Sequence, residues 1–278
     1  MTQKTVLITG CSTGIGKLAA KTFHEKGWNV VATMRTPEKE AELTKLDGVL
    51  VTKLDVTDND SIAAAIEAAL ARFGAIDVLV NNAGYGAHGL LEQMPEAEVR
   101  ALYDTNVFGV MNLCRAVMPH MRRQKSGVVI NVTSMAGVIG LPAETAYCSS
   151  KWAVEGFTEA LDLECKLLGI RAKTVAPGAY MATSFNGNAA DAALERGDEE
   201  LVTHVKRLRE HFLQSVTSEG GDTADPQEVA DMIYACATTD MPVHNPVGND
   251  AQMIVGMIGA PPRDEFLAKA EPLLLPGS

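Results

Sequence analysis

Tyr147 and Lys151 stand four residues apart in Tyr-Cys-Ser-Ser-Lys-Trp-Ala-Val-Glu-Gly-Phe, a segment with helical pattern. That spacing puts both side chains on one helix face, near enough to interact. A free tyrosine, with a pKa of about 10, is a poor base at neutral pH. A neighbouring ammonium group favours the phenolate and brings the phenol toward a working range for proton transfer. Ser134 lies upstream in Val132-Thr133-Ser134-Met135-Ala136-Gly137, where an apolar run that reads as a buried strand ends. Ligands of open parallel sheets bind at such ends. Its hydroxyl is suited to donate to a carbonyl oxygen and hold it beside Tyr147. Thr133 is the rival hydroxyl, and strand alternation favours Ser134.

These side chains need a frame. Short runs rich in Val and Ile recur at Thr5–Thr9, Asn29–Thr33, Val49–Lys53, Ile76–Val80, Val128–Val132, Arg171–Val175 and Met253–Val255, and each reads as a strand. Helical patterns fall between the early ones, at Ile15–Lys26, Glu38–Leu46 and Ser61–Phe73, with glycines near their ends. Strands apolar on both faces that alternate with helices predict an α/β fold: one doubly wound parallel sheet of about seven strands. No linker or composition break divides the 278 residues, so a single domain is expected. Residues 179–222 break the rhythm and read as a lid over the substrate. Asp225-Pro226 opens another helix, capped by Asp225 or Thr223. The proline-rich tail from Gly259 reads as a surface strap.

The first strand leads into Thr9-Gly10-Cys11-Ser12-Thr13-Gly14-Ile15-Gly16 and then a helix. Glycines let such a turn approach a pyrophosphate, which sits against the positive helix end. This turn resembles the cofactor turn of the short-chain dehydrogenase/reductase family, in its common single-domain subgroup. Asn81-Asn82-Ala83-Gly84, Asn106, Ser134, Tyr147-x-x-x-Lys151 and Pro177-Gly178 follow in the family's order, and the resemblance covers about residues 4–260. It implies a Rossmann-type fold and a nicotinamide dinucleotide held by Gly10, Ser12, Thr13, Gly14, Ile15 and Gly16. Asn82, Ala83 and Gly84 would pack on the adenosine half, while Asn81 ties neighbouring strands together. Asp55 would bond the adenine amino group, with the Val56 backbone beside it; its alternative role is capping the next helix, which Asp58 could do instead. Pro177 and Gly178 would shape the backbone beside the nicotinamide, and Thr183 would bond its carboxamide. Tyr147 and Lys151 would also hold the ribose. Asn106 would bind a water that relays the proton from Lys151.

A site that prefers NAD commonly has an acid about 20 residues on, at the end of the second strand. Here that place is Thr33-Met34-Arg35-Thr36, with no carboxylate before Glu38. Arg35 offers a permanently charged fork for a 2′-phosphate, which favours NADP over NAD. Thr13 is not basic, whereas some NADP-preferring relatives carry a second cation there.

Tyr85–Leu91, Met135–Pro142 and Ala179–Phe185 are expected to meet over the nicotinamide and supply Tyr85, Val138, Ile139, Leu141, Tyr180, Met181 and Phe185. None of the three holds Lys or Arg, so an anionic substrate has no partner there unless Lys206, Arg207 or Arg209 folds back from the lid. The expected activity is reduction of an uncharged, fairly hydrophobic ketone by NADPH, or the reverse. The alternatives are an NAD-dependent alcohol dehydrogenase of the same family and a redox sensor without turnover; a sensor would be expected to lose Tyr147, Lys151 or Ser134. A sugar-nucleotide epimerase on a related fold would need a larger C-terminal substrate domain.

Composition narrows the partners. A formal charge of −11 opposes phosphate backbones, so no nucleic acid is expected. No apolar run approaches the roughly 20 residues of a membrane span. The chain starts with Met1-Thr2-Gln3-Lys4 and enters Val6-Leu7-Ile8, too short a lead for a secretory signal. Five cysteines without a C-x-x-C pair fit a reducing, cytoplasmic setting. Six histidines show no metal spacing, and no metal is expected. The helices at about Glu98–Arg122 and Tyr147–Leu168 resemble those that pair across two-fold axes in the family, which implies a homotetramer or dimer.

Overall fold

The structure, a computed structural model, describes residues 3–180, 192–218 and 225–257, together with Glu265. Its centre is one parallel sheet of seven strands: β1 (Thr5–Thr9), β2 (Asn29–Met34), β3 (Val49–Lys53), β4 (Val78–Asn81), β5 (Gly127–Val132), β6 (Ile170–Pro177) and β7 (His244–Val247). The order is β3-β2-β1-β4-β5-β6-β7, so the winding reverses between β1 and β4. Crevices for ligands open at such reversals, beyond the carboxyl ends of the strands.

Helices cover both faces. α1 (Gly14–Glu25) and α7 (Gln227–Thr238) share one face, where Phe23 and Trp28 meet edge to face at 5.1 Å with Tyr234 against both. The other face takes α2 (Asn59–Phe73), α4 (Gly109–Gln124) and α5 (Thr145–Lys166), through Ile62, Leu113, Val117 and Leu161 among others. A shorter α3 (Glu96–Tyr103) leads into α4, α6 (Glu199–Ser218) lies in the sequence insertion, and α8 (Asn249–Met257) follows β7. Among the described residues no helix is long and apolar enough to cross a membrane. All five cysteines are buried and free.

Three expectations need correction. Met253–Val255 lies in α8, and the seventh strand is His244-Asn-Pro-Val247. Pro246 removes a backbone donor, which is tolerated because β7 is an edge strand. Glu38–Leu46 forms only two single 3₁₀ turns, Pro37–Lys39 and Leu43–Lys45. Between them Glu40 turns inward and accepts from Glu42 N and Leu43 N at 2.7 and 2.9 Å. That local bond competes with a helix. The expected helix Glu98–Arg122 is broken by a π-helical turn at Asp104–Phe108. Of the two candidate caps of α2, the structure uses Asp58, which accepts from Asp60 N and Ser61 N. Asp55 instead accepts from the Thr57 backbone and hydroxyl. Asp225 does accept from Gln227 N at 2.9 Å; Thr223 lies outside the described residues, as do residues 181–191 and 219–224 of the lid and most of the tail.

Candidate active site

The glycine turn folds as a cradle at the β1–β4 reversal. Gly10 adopts φ +74°, the left-handed region that a side chain disfavours. A Cβ on Gly16 would strike the Gly10 carbonyl oxygen and Asn82 Nδ2, so α1 can cross only with glycine there. Thr9 Oγ1 accepts from Asn82 N and Ala83 N at 3.0 and 2.9 Å, which ties the loop after β4 to this turn. Asn82 Nδ2 donates to Thr9 O at 2.9 Å. Thr13 is the N-cap residue of α1 but makes no side-chain cap bond, and the first turn carries no acid. Its backbone N–H groups therefore keep the donor capacity and partial positive charge that suit a phosphate. Ser12, Gly14 and Ile15 complete the turn, and the residues present fit a dinucleotide.

Arg35 is exposed at the end of β2. Asp55 lies within reach of its charge: Thr57's backbone and hydroxyl, and then Arg35, hold the Asp55 carboxyl below its ordinary value. Val56 is buried against Gly109. Lys17, another base near this corner, is taken by Glu40 at 3.3 Å and Glu42 at 2.9 Å.

Ser134, Tyr147 and Lys151 share one cleft at the ends of β5 and β6, with Asn82, Pro177 and Gly178 in its wall. Ser134 caps a 3₁₀ turn, its Oγ accepting from Ala136 N at 3.1 Å. Tyr147 is buried, and burial pushes its phenol well above 10; a hydrogen bond with the Ser134 side chain pulls the other way, while the Glu144 carboxylate adds to the rise. Lys151 is also buried, and burial lowers its ammonium to about 8 against the opposing pull of Glu155. Its Nζ donates to Val132 O at 3.0 Å and lies 5.8 Å from the Tyr147 ring centroid. Asn106 sits in the π turn, a feature frequent at functional sites. Its Oδ1 accepts from Tyr85 N at 3.1 Å, and its Nδ2 donates to Tyr85 O and Ser150 Oγ. A Cβ on Gly84 would come within 3.0 Å of Asn106 Oδ1 and 3.7 Å of Lys151 Nζ. Asn81 bonds Asn131 Oδ1 at 2.8 Å, linking β4 to β5 as expected.

Of the residues expected over the nicotinamide, Leu141 and Tyr180 line the cleft. Tyr85, Val138 and Ile139 do not line it, and Met181, Thr183 and Phe185 lie outside the described residues. Lys206 is engaged by Glu195 at 2.8 Å on the surface. Three polar groups escaped the sequence reading. His88 and Glu144 pair in the cleft wall at 3.2 Å. Beneath the site, buried Glu155 accepts from Thr133 Oγ1 and meets His244 Nδ1 at 2.7 Å. Asp250 accepts from Ala179 N at 2.8 Å and fixes the chain just after β6. The sequence carried a signal for Glu155, one turn beyond Lys151 on the same face, and for His88, inside Tyr85–Leu91. Among the described residues, no group of three His, Cys, Asp or Glu could hold a metal.

Known proteins share this fold and much of this sequence. The family model for short chain dehydrogenase matches residues 4–194. A 3-ketodihydrosphingosine reductase of Bacteroides thetaiotaomicron is 38% identical over 216 residues, 78% of this chain and 76% of its own. The crystal structure of a short-chain dehydrogenase from Streptomyces avermitilis superimposes with TM-score 0.81 at 31% identity, covering 97% of this chain and 95% of the other. ElxO with NADP bound gives TM-score 0.75 at 28% identity, covering 91% of this chain and all of that one.

Proposed function

The chain belongs to the short-chain dehydrogenase family, and from that premise we propose that it is an NADP-dependent oxidoreductase interconverting an uncharged, fairly hydrophobic ketone and its secondary alcohol. The observation that carries the reading is one cleft holding Ser134, Tyr147 and Lys151 beside an uncapped, glycine-bordered helix terminus. A bound nicotinamide supplies or accepts the hydride. The α1 terminus would hold the pyrophosphate, and Arg35 the 2′-phosphate of NADP. The exposed guanidinium at the end of β2, with no acid beside it on that strand, supports NADP; the NADP-bound relative agrees with it.

Ser134 orients the substrate oxygen, and Tyr147 holds the proton at its hydroxyl oxygen. Buried and raised, the phenol stays protonated at neutral pH, the form needed to donate in the direction of reduction. The Lys151 ammonium stabilises the phenolate left behind, and Asn106 fixes the loop at Tyr85 beside it. Leu141, Met135 and Tyr180 present an apolar wall. A cytoplasmic homo-oligomer, tetramer or dimer, is part of this reading; Phe108 and Trp152 are half exposed on the helical elements proposed to pair.

The test compares kcat/KM for an aryl or long-chain ketone with that for a size-matched keto acid, using NADPH and NADH in turn. A preference for the uncharged ketone with NADPH is expected. A clear preference for the acid, or for NADH, would overturn the corresponding half of the proposal.

A further inference from the structure

We infer that the His88–Glu144 pair is a specificity site that selects ketones bearing a hydrogen-bond donor on a carbon next to the reacting carbonyl, an inference that rests on the oxidoreductase reading above. His88 comes from the loop after β4, and Glu144 is the N-cap residue of α5, three residues before Tyr147. His88 Nε2 stands 3.2 Å from Glu144 Oε1, with side-chain exposures of 8% and 11%. Both residues line the same cleft as Ser134 and Tyr147.

Only one carboxylate oxygen is engaged. Glu144 Oε2 accepts no hydrogen bond among the described residues, yet it is not one of the sealed polar atoms. A ligand that fills the cleft strips water from that oxygen, which is costly unless the ligand itself supplies a donor. Met135, Leu141 and Ala179, which line the same cleft, have no side-chain donor to give. As N-cap residue, Glu144 stands one turn before Tyr147, where the side chains at these two positions come within reach of one another's turn. A carbonyl oxygen bonded to Tyr147 thus leaves room for one carbon–carbon bond and a second hydrogen bond to reach Glu144, the two hydrogen bonds being roughly 2.7–3.0 Å each. The donor is a hydroxyl if the substrate is neutral, as proposed above, and an ammonium group otherwise; donation to the carboxylate is the chemistry they share. The same charge disfavours an anion, in line with its upward push on the Tyr147 phenol.

The experiment measures kcat/KM with NADPH for three ketones of equal chain length: unsubstituted, α-hydroxy and α-amino. Wild type, Glu144→Gln and Glu144→Met are compared, with thermal midpoints as a check on folding. Wild type should prefer a donor-bearing ketone by about tenfold or more, as one charged hydrogen bond allows. Glu144→Met should collapse that ratio toward one. Glu144→Gln should collapse it for the amine, because the charge is gone, and keep part of it for the hydroxyl. The arm that wild type favours identifies the donor. Equal turnover of all three by wild type, which needs no variant to fold, overturns the site alone. A ratio that survives in Glu144→Met does the same. Turnover of none overturns the oxidoreductase reading and the site with it.

Discussion

Replacing Lys151 with Met should make the protein more stable at pH 7 while abolishing turnover. Burial lowers the ammonium from its ordinary 10.5 to about 8, against a smaller opposing effect of Glu155. A drop of that size, at 1.36 kcal/mol per unit, is a folding penalty of ~3 kcal/mol for the charged form. The variant also loses the bond from Nζ to Val132 O, a term of about 1 kcal/mol, so a net gain of ~2 kcal/mol remains. The pH dependence has a definite sign. Below about pH 8 both folded and unfolded chains keep the proton, and the penalty is present in full. Between about 8 and 10.5 the folded chain sheds the proton first, so wild-type stability rises with pH relative to the variant. The advantage of Lys151→Met should thus be full at pH 7, shrink as pH rises above about 8, and reverse by about 1 kcal/mol above pH 10.5, where only the lost bond remains. Denaturant titration of both proteins without cofactor, at matched protomer concentration, measures this. A variant less stable than wild type at pH 7, or a difference that does not change with pH, would refute the reasoning.

Arg35→Ala should weaken NADPH far more than NADH, by roughly 1.5–3 kcal/mol for a hydrogen bond to a charged group. Equal losses in calorimetric titrations of the two cofactors would remove Arg35 from the site. Light scattering at micromolar concentration should give a dimeric or tetrameric mass. Phe108→Lys combined with Trp152→Glu should shift it toward the monomer, since these apolar side chains are 51% and 45% exposed in the single chain. A monomeric wild type would refute the assembly.

The fold and the central chemistry were legible because their signals are local. β1, β4 and β5 are short, largely apolar runs buried on both faces, and the cradle and the Tyr147–Lys151 pair each lie within one turn of chain. Partnerships across the sheet were not legible. His88 lies within Tyr85–Leu91, a stretch expected over the nicotinamide, whereas Glu144 stands just past the end of another, Met135–Pro142. The absence of Lys and Arg from those stretches carries no sign of a carboxylate beside them. β7 was hidden because His244, Asn245 and Pro246 carry no strand pattern; its place is set by pairing with β6 and by the contact of His244 with Glu155. The π turn around Asn106 likewise follows from tertiary contacts with Tyr85 and Ser150, while the residues themselves read as ordinary helix.

The most direct test of the account is turnover by Tyr147→Phe. NADPH consumption is followed by absorbance of the reduced nicotinamide with a ketone that wild type reduces, and NADPH binding is followed by fluorescence in parallel. The account predicts that the variant binds NADPH about as well as wild type and consumes none of it, because only the transferable proton at Tyr147 has been removed. Wild-type turnover by the variant would contradict the assignment of Tyr147 as the proton donor.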